Sequence, residues 1–169
     1  MSSLNRITKF IWILSLLSFL ALDLYVYSQL PQTVGVLYNS EGLPESYVKR
    51  PLFFFIGIAF ILILNLIFVA LIKSFIGFPF KLIGWEKLSV WQTTRSLKLE
   101  FSDFIENWGY SFLVFLNLFL INTLYILWKV NVEMGSRISE YSWVIWPFLG
   151  LLIIFPVYLV AKLKNSSPQ

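Results

Sequence analysis

Leu52-Phe53-Phe54-Phe55-Ile56-Gly57-Ile58-Ala59-Phe60-Ile61-Leu62-Ile63-Leu64-Asn65-Leu66-Ile67-Phe68-Val69-Ala70-Leu71-Ile72 runs for 21 residues without a charge. At 1.5 Å per residue a helix of that length reaches about 31 Å, enough to cross the hydrocarbon core of a bilayer. Three further stretches of the same length, Phe10–Leu30, Trp108–Trp128 and Trp143–Leu163, accompany it. The third span is also free of charge, while the first carries Asp23 and the fourth Pro147, Pro156 and Lys162. About a dozen Leu, Ile, Phe and Val residues at roughly −0.3 to −0.6 kcal/mol each outweigh one aspartate at about +2.5 to +3.5, so the first span survives Asp23. Arg6 and Lys9 ahead of that run, with Val26 and Ser28 behind it, also fit a secretory signal peptide. The expectation is that it stays attached as a span. The fold class expected is an all-α integral membrane protein: four transmembrane helices and a cytoplasmic interfacial helix in one membrane domain, residues 1–169.

Composition agrees. Of 169 residues 58% are hydrophobic, 19% aromatic and only 13% charged, against about 25% charged in soluble domains. The chain contains no Cys and no His. Zinc, iron–sulfur and histidine-ligated haem sites, disulfides, cysteine nucleophiles and histidine bases therefore lack their reagents, and no cofactor is expected. The 13 Lys and Arg residues divide nine to four between the two tails plus the 73–107 loop and the 31–51 and 129–142 loops. The positive-inside rule then places both termini and the 73–107 loop in the cytoplasm. These charges serve topology, so nucleic acid is not an expected partner. Trp12, Trp85, Trp108, Trp128, Trp143 and Trp146, with Tyr25 and Tyr27, are read as interfacial anchors.

Gly77, Pro79 and Gly84 break the chain after the second span. From about Glu86, residues Leu88, Trp91, Leu97, Phe101, Phe104, Ile105 and Trp108 recur at helical spacing, which predicts an interfacial helix leading into the third span. Lys73, Lys81, Lys87, Arg95 and Lys98 are candidate contacts to anionic lipid headgroups. Glu100, Asp103 and Glu106 follow on a shared polar side, read as a solvated face.

Polar residues inside spans are costly and worth placing by depth. Counted from the cytoplasmic end at about 1.5 Å per residue, Asn65 and Asn117 fall near one level and Asp23 and Asn122 near a second. The expected interhelical hydrogen bonds are Asn65 with Asn117 and Asp23 with Asn122. A carrier role for Asp23 lacks a second intramembrane carboxylate, a histidine or an internal repeat.

The loop Leu30-Pro31-Gln32-Thr33-Val34-Gly35-Val36-Leu37-Tyr38-Asn39-Ser40-Glu41-Gly42-Leu43-Pro44-Glu45-Ser46-Tyr47-Val48-Lys49-Arg50 has another character. On its own residues, Pro31 ends the first helix while Asn39 and Gly42 shape a turn. The stretch resembles the short membrane module at the N-terminus of SdpI-type bacterial immunity proteins. Leu30-Pro31, Val34, Tyr38-Asn39, Gly42, Pro44, Glu45, Tyr47 and Arg50 fall in step with that module; Gly35 replaces its proline and Leu37 its histidine. The resemblance covers about twenty residues. It implies a bacterial inner membrane, a role in toxin immunity or signalling, and outer-loop recognition through Tyr38, Asn39, Gly42, Glu45 and Tyr47.

Three functions follow as expectations. The first is a non-catalytic accessory subunit or assembly factor, with lipids and other membrane subunits as partners. The second is a stand-alone immunity or signalling receptor, and the third a small transporter built on Asp23. No Ser–base pair, carboxylate dyad or glycine-rich phosphate loop stands at a recognisable spacing, so an enzyme is not expected.

Overall fold

The computed structural model describes residues 3–79, 89–133 and 136–165. Four helices dominate it: α1 (Ser3–Gln29), α2 (Arg50–Gly77), α3 (Arg95–Val132) and α4 (Ser142–Asn165). Each contains a stretch long and apolar enough to cross a membrane. Pro51 opens α2, where a missing amide donor costs nothing. Thr94 caps α3, its side chain accepting from the Leu97 amide at 3.3 Å.

Two features depart from the expected layout. The 31–51 loop is not irregular but an antiparallel hairpin, β1 (Thr33–Tyr38) and β2 (Pro44–Lys49), so the fold is helical with one small sheet. Alternation along β2 carries it: Glu45, Tyr47 and Lys49 are exposed while Pro44, Ser46 and Val48 are partly covered. Asn39 and Gly42 build the turn. The Asn39 side-chain oxygen accepts from the amides of Glu41 and Leu43 at 3.0 and 2.9 Å, and Gly42 adopts φ 81°, which suits glycine.

Second, α3 is one uninterrupted helix of 38 residues, about 57 Å long, far more than a bilayer core requires. It begins at Arg95, after a 3₁₀ turn at Val90–Gln92, so residues 95–107 lengthen the third span. No proline lies between them and Val132 to start a new axis. Lys81, Lys87, Trp85, Glu86 and Leu88 lie outside the described residues.

The core is built on α3. The buried stripe of α1, Asn5, Thr8, Ser15, Phe19, Asp23 and Val26, advances in steps compatible with one helix face. Two apolar clusters form the interior. Ile72, Trp91, Phe101, Ile105, Tyr110 and Leu113 lie toward the start of α3, and Phe19, Val26, Leu30, Val34, Ile61 and Leu124 toward the hairpin. Outward, the helices present large apolar residues such as Phe55, Leu66 and Ile153, at 65%, 71% and 67% exposure, as a lipid-facing surface does.

α4 is held differently. Phe148 stacks on Phe115 at 5.4 Å and Phe155 on Phe115 at 5.7 Å, with Trp108 and Phe112 against Phe155. The Trp108 indole N–H donates to the Phe155 carbonyl at 3.1 Å. No residue in the spanning stretch of α4 is fully buried.

Gly109 on α3 makes room for Ile72 of α2, since a Cβ there would overlap the Ile72 side chain. Gly109→Ala should cost about 1–3 kcal/mol in unfolding experiments in mixed micelles. Combining it with Ile72→Ala, which clears the space, should cost less than the two changes summed; strict additivity would refute this crossing.

Candidate functional site

Between the two apolar clusters lies a polar layer joining α1, α2 and α3. Asn65 donates to the Asn117 side-chain oxygen at 2.8 Å, so these two residues are paired as depth suggested. Asn65 also donates to its own helix at the Ile61 carbonyl, 2.8 Å away, and its oxygen accepts from the Trp12 indole at 2.7 Å. Asn117 donates to the Ser15 hydroxyl at 3.0 Å, and that hydroxyl donates to the Trp12 carbonyl at 2.8 Å. Asn65, Asn117 and Ser15 are all buried. Trp12 is thus a member of this layer and not simply an interfacial anchor.

Asp23 and Asn122 do not pair. The Asp23 carboxyl is buried with Oδ2 unpartnered, and Asn122 Nδ2 is likewise buried without a partner. Equal depth was not enough because azimuth differs. Asn122 lies about 140° around α3 from Asn117, which faces α1 and α2. Asp23 faces α2 at Gly57, where a Cβ would come within 3.2 Å of its carboxylate. Beside Gly57 an apolar groove of about 370 Å³ opens between α2 and α3, lined by Phe19, Phe53, Phe60, Leu124 and, from the hairpin, Val36 and Val48.

The α1–α3 seam continues toward the start of both helices. Thr8 donates to the Asn107 oxygen at 2.6 Å, while Glu106 accepts from Asn5 at 2.6 Å and pairs with Lys9 at 2.7 Å. Asp103 also accepts from Asn5, at 3.4 Å. Two of the three acidic residues expected on a solvated face are therefore turned to α1, and Glu100 alone of the trio is exposed. Lys73, Arg95 and Lys98 are exposed at this end.

At the opposite end the hairpin is fastened chiefly by Asn131, a residue not singled out in the sequence. Asn131, in the last turn of α3, accepts from the Gly35 amide at 2.7 Å and donates to the Gly35 carbonyl at 3.2 Å. Its amide also contacts the Tyr38 hydroxyl at 3.1 Å and the Leu127 carbonyl at 2.8 Å, and Tyr38 donates to the Gly35 carbonyl at 2.9 Å. Arg50 donates to the Leu30 carbonyl at 3.1 Å and lies over the Tyr27 ring, tying the end of α1 to the start of α2. Of the five loop residues singled out for recognition, Tyr38, Asn39 and Gly42 are engaged in building the hairpin. Glu45 and Tyr47 project from it, exposed.

Chemically, the site offers packing, orientation and hydrogen bonding. Among the described residues no three His, Cys, Asp or Glu side chains converge as metal ligands. No protein-family model, curated protein or solved structure matches the chain.

Asn65→Ala and Asn117→Ala should each destabilise the protein by about 1–2 kcal/mol, because each strands a partner in hydrocarbon. The double variant should cost less than their sum, measured by unfolding in mixed micelles; independent effects would contradict the shared layer. At the hairpin, burial pushes the Tyr38 phenol above its ordinary 10.0; the Asn131 hydrogen bond lowers it and Tyr47 raises it. A group with a raised folded value stabilises the fold at pH below its unfolded value and loses that contribution as pH climbs through the folded one. Hydrogen exchange at the Gly35 amide should therefore accelerate, beyond its intrinsic base dependence, only above about pH 10. Tyr38→Phe should abolish that extra step, and Asn131→Ala should raise exchange at every pH.

Proposed function

We propose that this chain is a non-catalytic integral membrane protein acting as an accessory subunit or assembly factor of a larger membrane complex. The observation that carries the reading is α4. It clings to α3 by one aromatic face, and none of its spanning stretch is buried, against 17–28% in the other three helices, so its own bundle covers it least. Outside the spans the described residues form the hairpin, two 3₁₀ turns and helix ends, so in this reading recognition occurs within or at the surface of the membrane. In this reading the membrane is a bacterial inner membrane and both termini lie in the cytoplasm. Lys73, Arg95 and Lys98 then meet anionic headgroups there, and the first turns of α3 supply the interfacial part of the helix.

A second reading, favoured by the Asn131 clamp, is an immunity or signalling receptor. The hairpin is bonded to one end of the same unbroken helix whose other end carries the Glu106–Lys9 pair, so a load on the hairpin is transmitted along α3. Transport through Asp23 is a third reading, favoured only by its unpartnered carboxyl; an unchanged flux in Asp23→Asn would dismiss it.

Extraction in mild detergent, followed by size analysis and identification of co-purifying chains, tests the first reading. A heavier species containing other membrane proteins is expected; particles made of this chain alone would overturn it. Altered toxin or stress sensitivity on deletion, reproduced by substituting Glu45 and Tyr47, would instead support the receptor.

A further inference from the structure

The two edges of the hairpin differ. The Gly35 amide and carbonyl both bond to Asn131, on the side away from β2, so the β1 edge is already covered. Gly35 stands opposite Tyr47. In an antiparallel ladder, facing residues either both turn their main-chain groups inward or both turn them outward. Tyr47 therefore turns its N–H and C=O away from β1, and among the described residues no other main-chain group bonds to them there.

Exposed strand edges pair readily, and charges usually discourage it. Here the charges are arranged differently. Glu45 and Lys49 lie two residues to either side of Tyr47, all three exposed. Reversing the strand about Tyr47 sets each Glu45 against the Lys49 of the reversed copy, so the edge complements itself while repelling strands of other charge pattern.

The orientation of the sheet agrees. Val34 is fully buried, and Val36 and Val48 line one groove with Phe53 and Leu127, so one face of the hairpin packs against the bundle. Tyr47, 57% exposed, occupies the other face. With that face against the bundle, a two-fold axis perpendicular to the sheet would run broadly along the helices, and two copies related by it would share one orientation in one membrane.

We propose that β2 is a self-association edge, through which two copies of this chain pair antiparallel about Tyr47 to form a four-stranded sheet on the membrane surface. The dimer is independent of the subunit role, since it is read from links between copies of this chain whatever else is bound.

The chain has no cysteine, which allows a clean test in native membranes with the full-length protein. Facing residues that exchange main-chain bonds stand about 5.5 Å apart at Cα, within disulfide range. Tyr47→Cys should yield a disulfide-linked dimer on mild oxidation. Glu45→Cys alone and Lys49→Cys alone should not, because their own copies stand about 13 Å apart along the strands. Co-expressed with different tags, those two variants should link to each other. In the Tyr47→Cys background, Lys49→Glu should reduce linking several-fold, and adding Glu45→Lys should restore it. A Tyr47→Cys variant that stays monomeric would overturn the proposal. So would Glu45→Cys linking to itself as readily as to Lys49→Cys, the signature of random collision, or a charge reversal without effect.

Discussion

The structure depends on a small set of amides that hydrocarbon cannot satisfy. In the middle of a bilayer no water competes for Asn65 and Asn117, so each must find its partners within the protein. They find them in one another, in Ser15 and Trp12 of α1, and in the Ile61 carbonyl. Apolar helix faces pass between lipid and protein with little free-energy change, so they do not by themselves fix how helices rotate or slide. The amide layer does both. It sets the height of α1, α2 and α3 against one another and turns the correct face of each inward.

From that layer the rest of the packing follows in both directions. Toward the start of α3, the α1–α3 seam becomes progressively more polar, through Thr8 and Asn107 to Lys9–Glu106 and Asn5 with Asp103. Toward the hairpin it becomes apolar, with Phe19, Val26, Ile61 and Leu124 closing the interior, and is finished by Asn131 and Arg50. Both of these residues satisfy main-chain groups that leave a helix or strand unpaired. Asn131 acts as a third strand would, presenting one acceptor and one donor to the edge of β1.

Much of this was legible in the amino-acid sequence because length and hydropathy suffice to identify spans. All four were found, and the Asn65–Asn117 pair followed from depth alone. What depth could not supply was azimuth: Asp23 and Asn122 share a level but sit on faces that never meet. In the sequence this loop is read only as a turn at Asn39 and Gly42, although the alternation of Glu45, Tyr47 and Lys49 is present in the chain. Asn131 was passed over as a loop residue beyond the third span. The extra turns that carry it belong to a helix longer than any membrane requires. The partners Asn5, Thr8 and Ser15 left a fainter trace, a run of small polar residues at steps of three and seven along α1, which only the face opposite could make meaningful.

The unequal attachment of α4 bears on how the protein is made. Helices α1 to α3 and the hairpin already hold the Asn65–Asn117 layer and most of both apolar clusters, so they form the larger unit before the last span emerges from the ribosome. α4, held by stacked phenylalanines and the Trp108 indole bond, joins that scaffold afterwards. Between those two moments the aromatic face of α3 is bare, open to a chaperone or to a foreign helix that reaches it first.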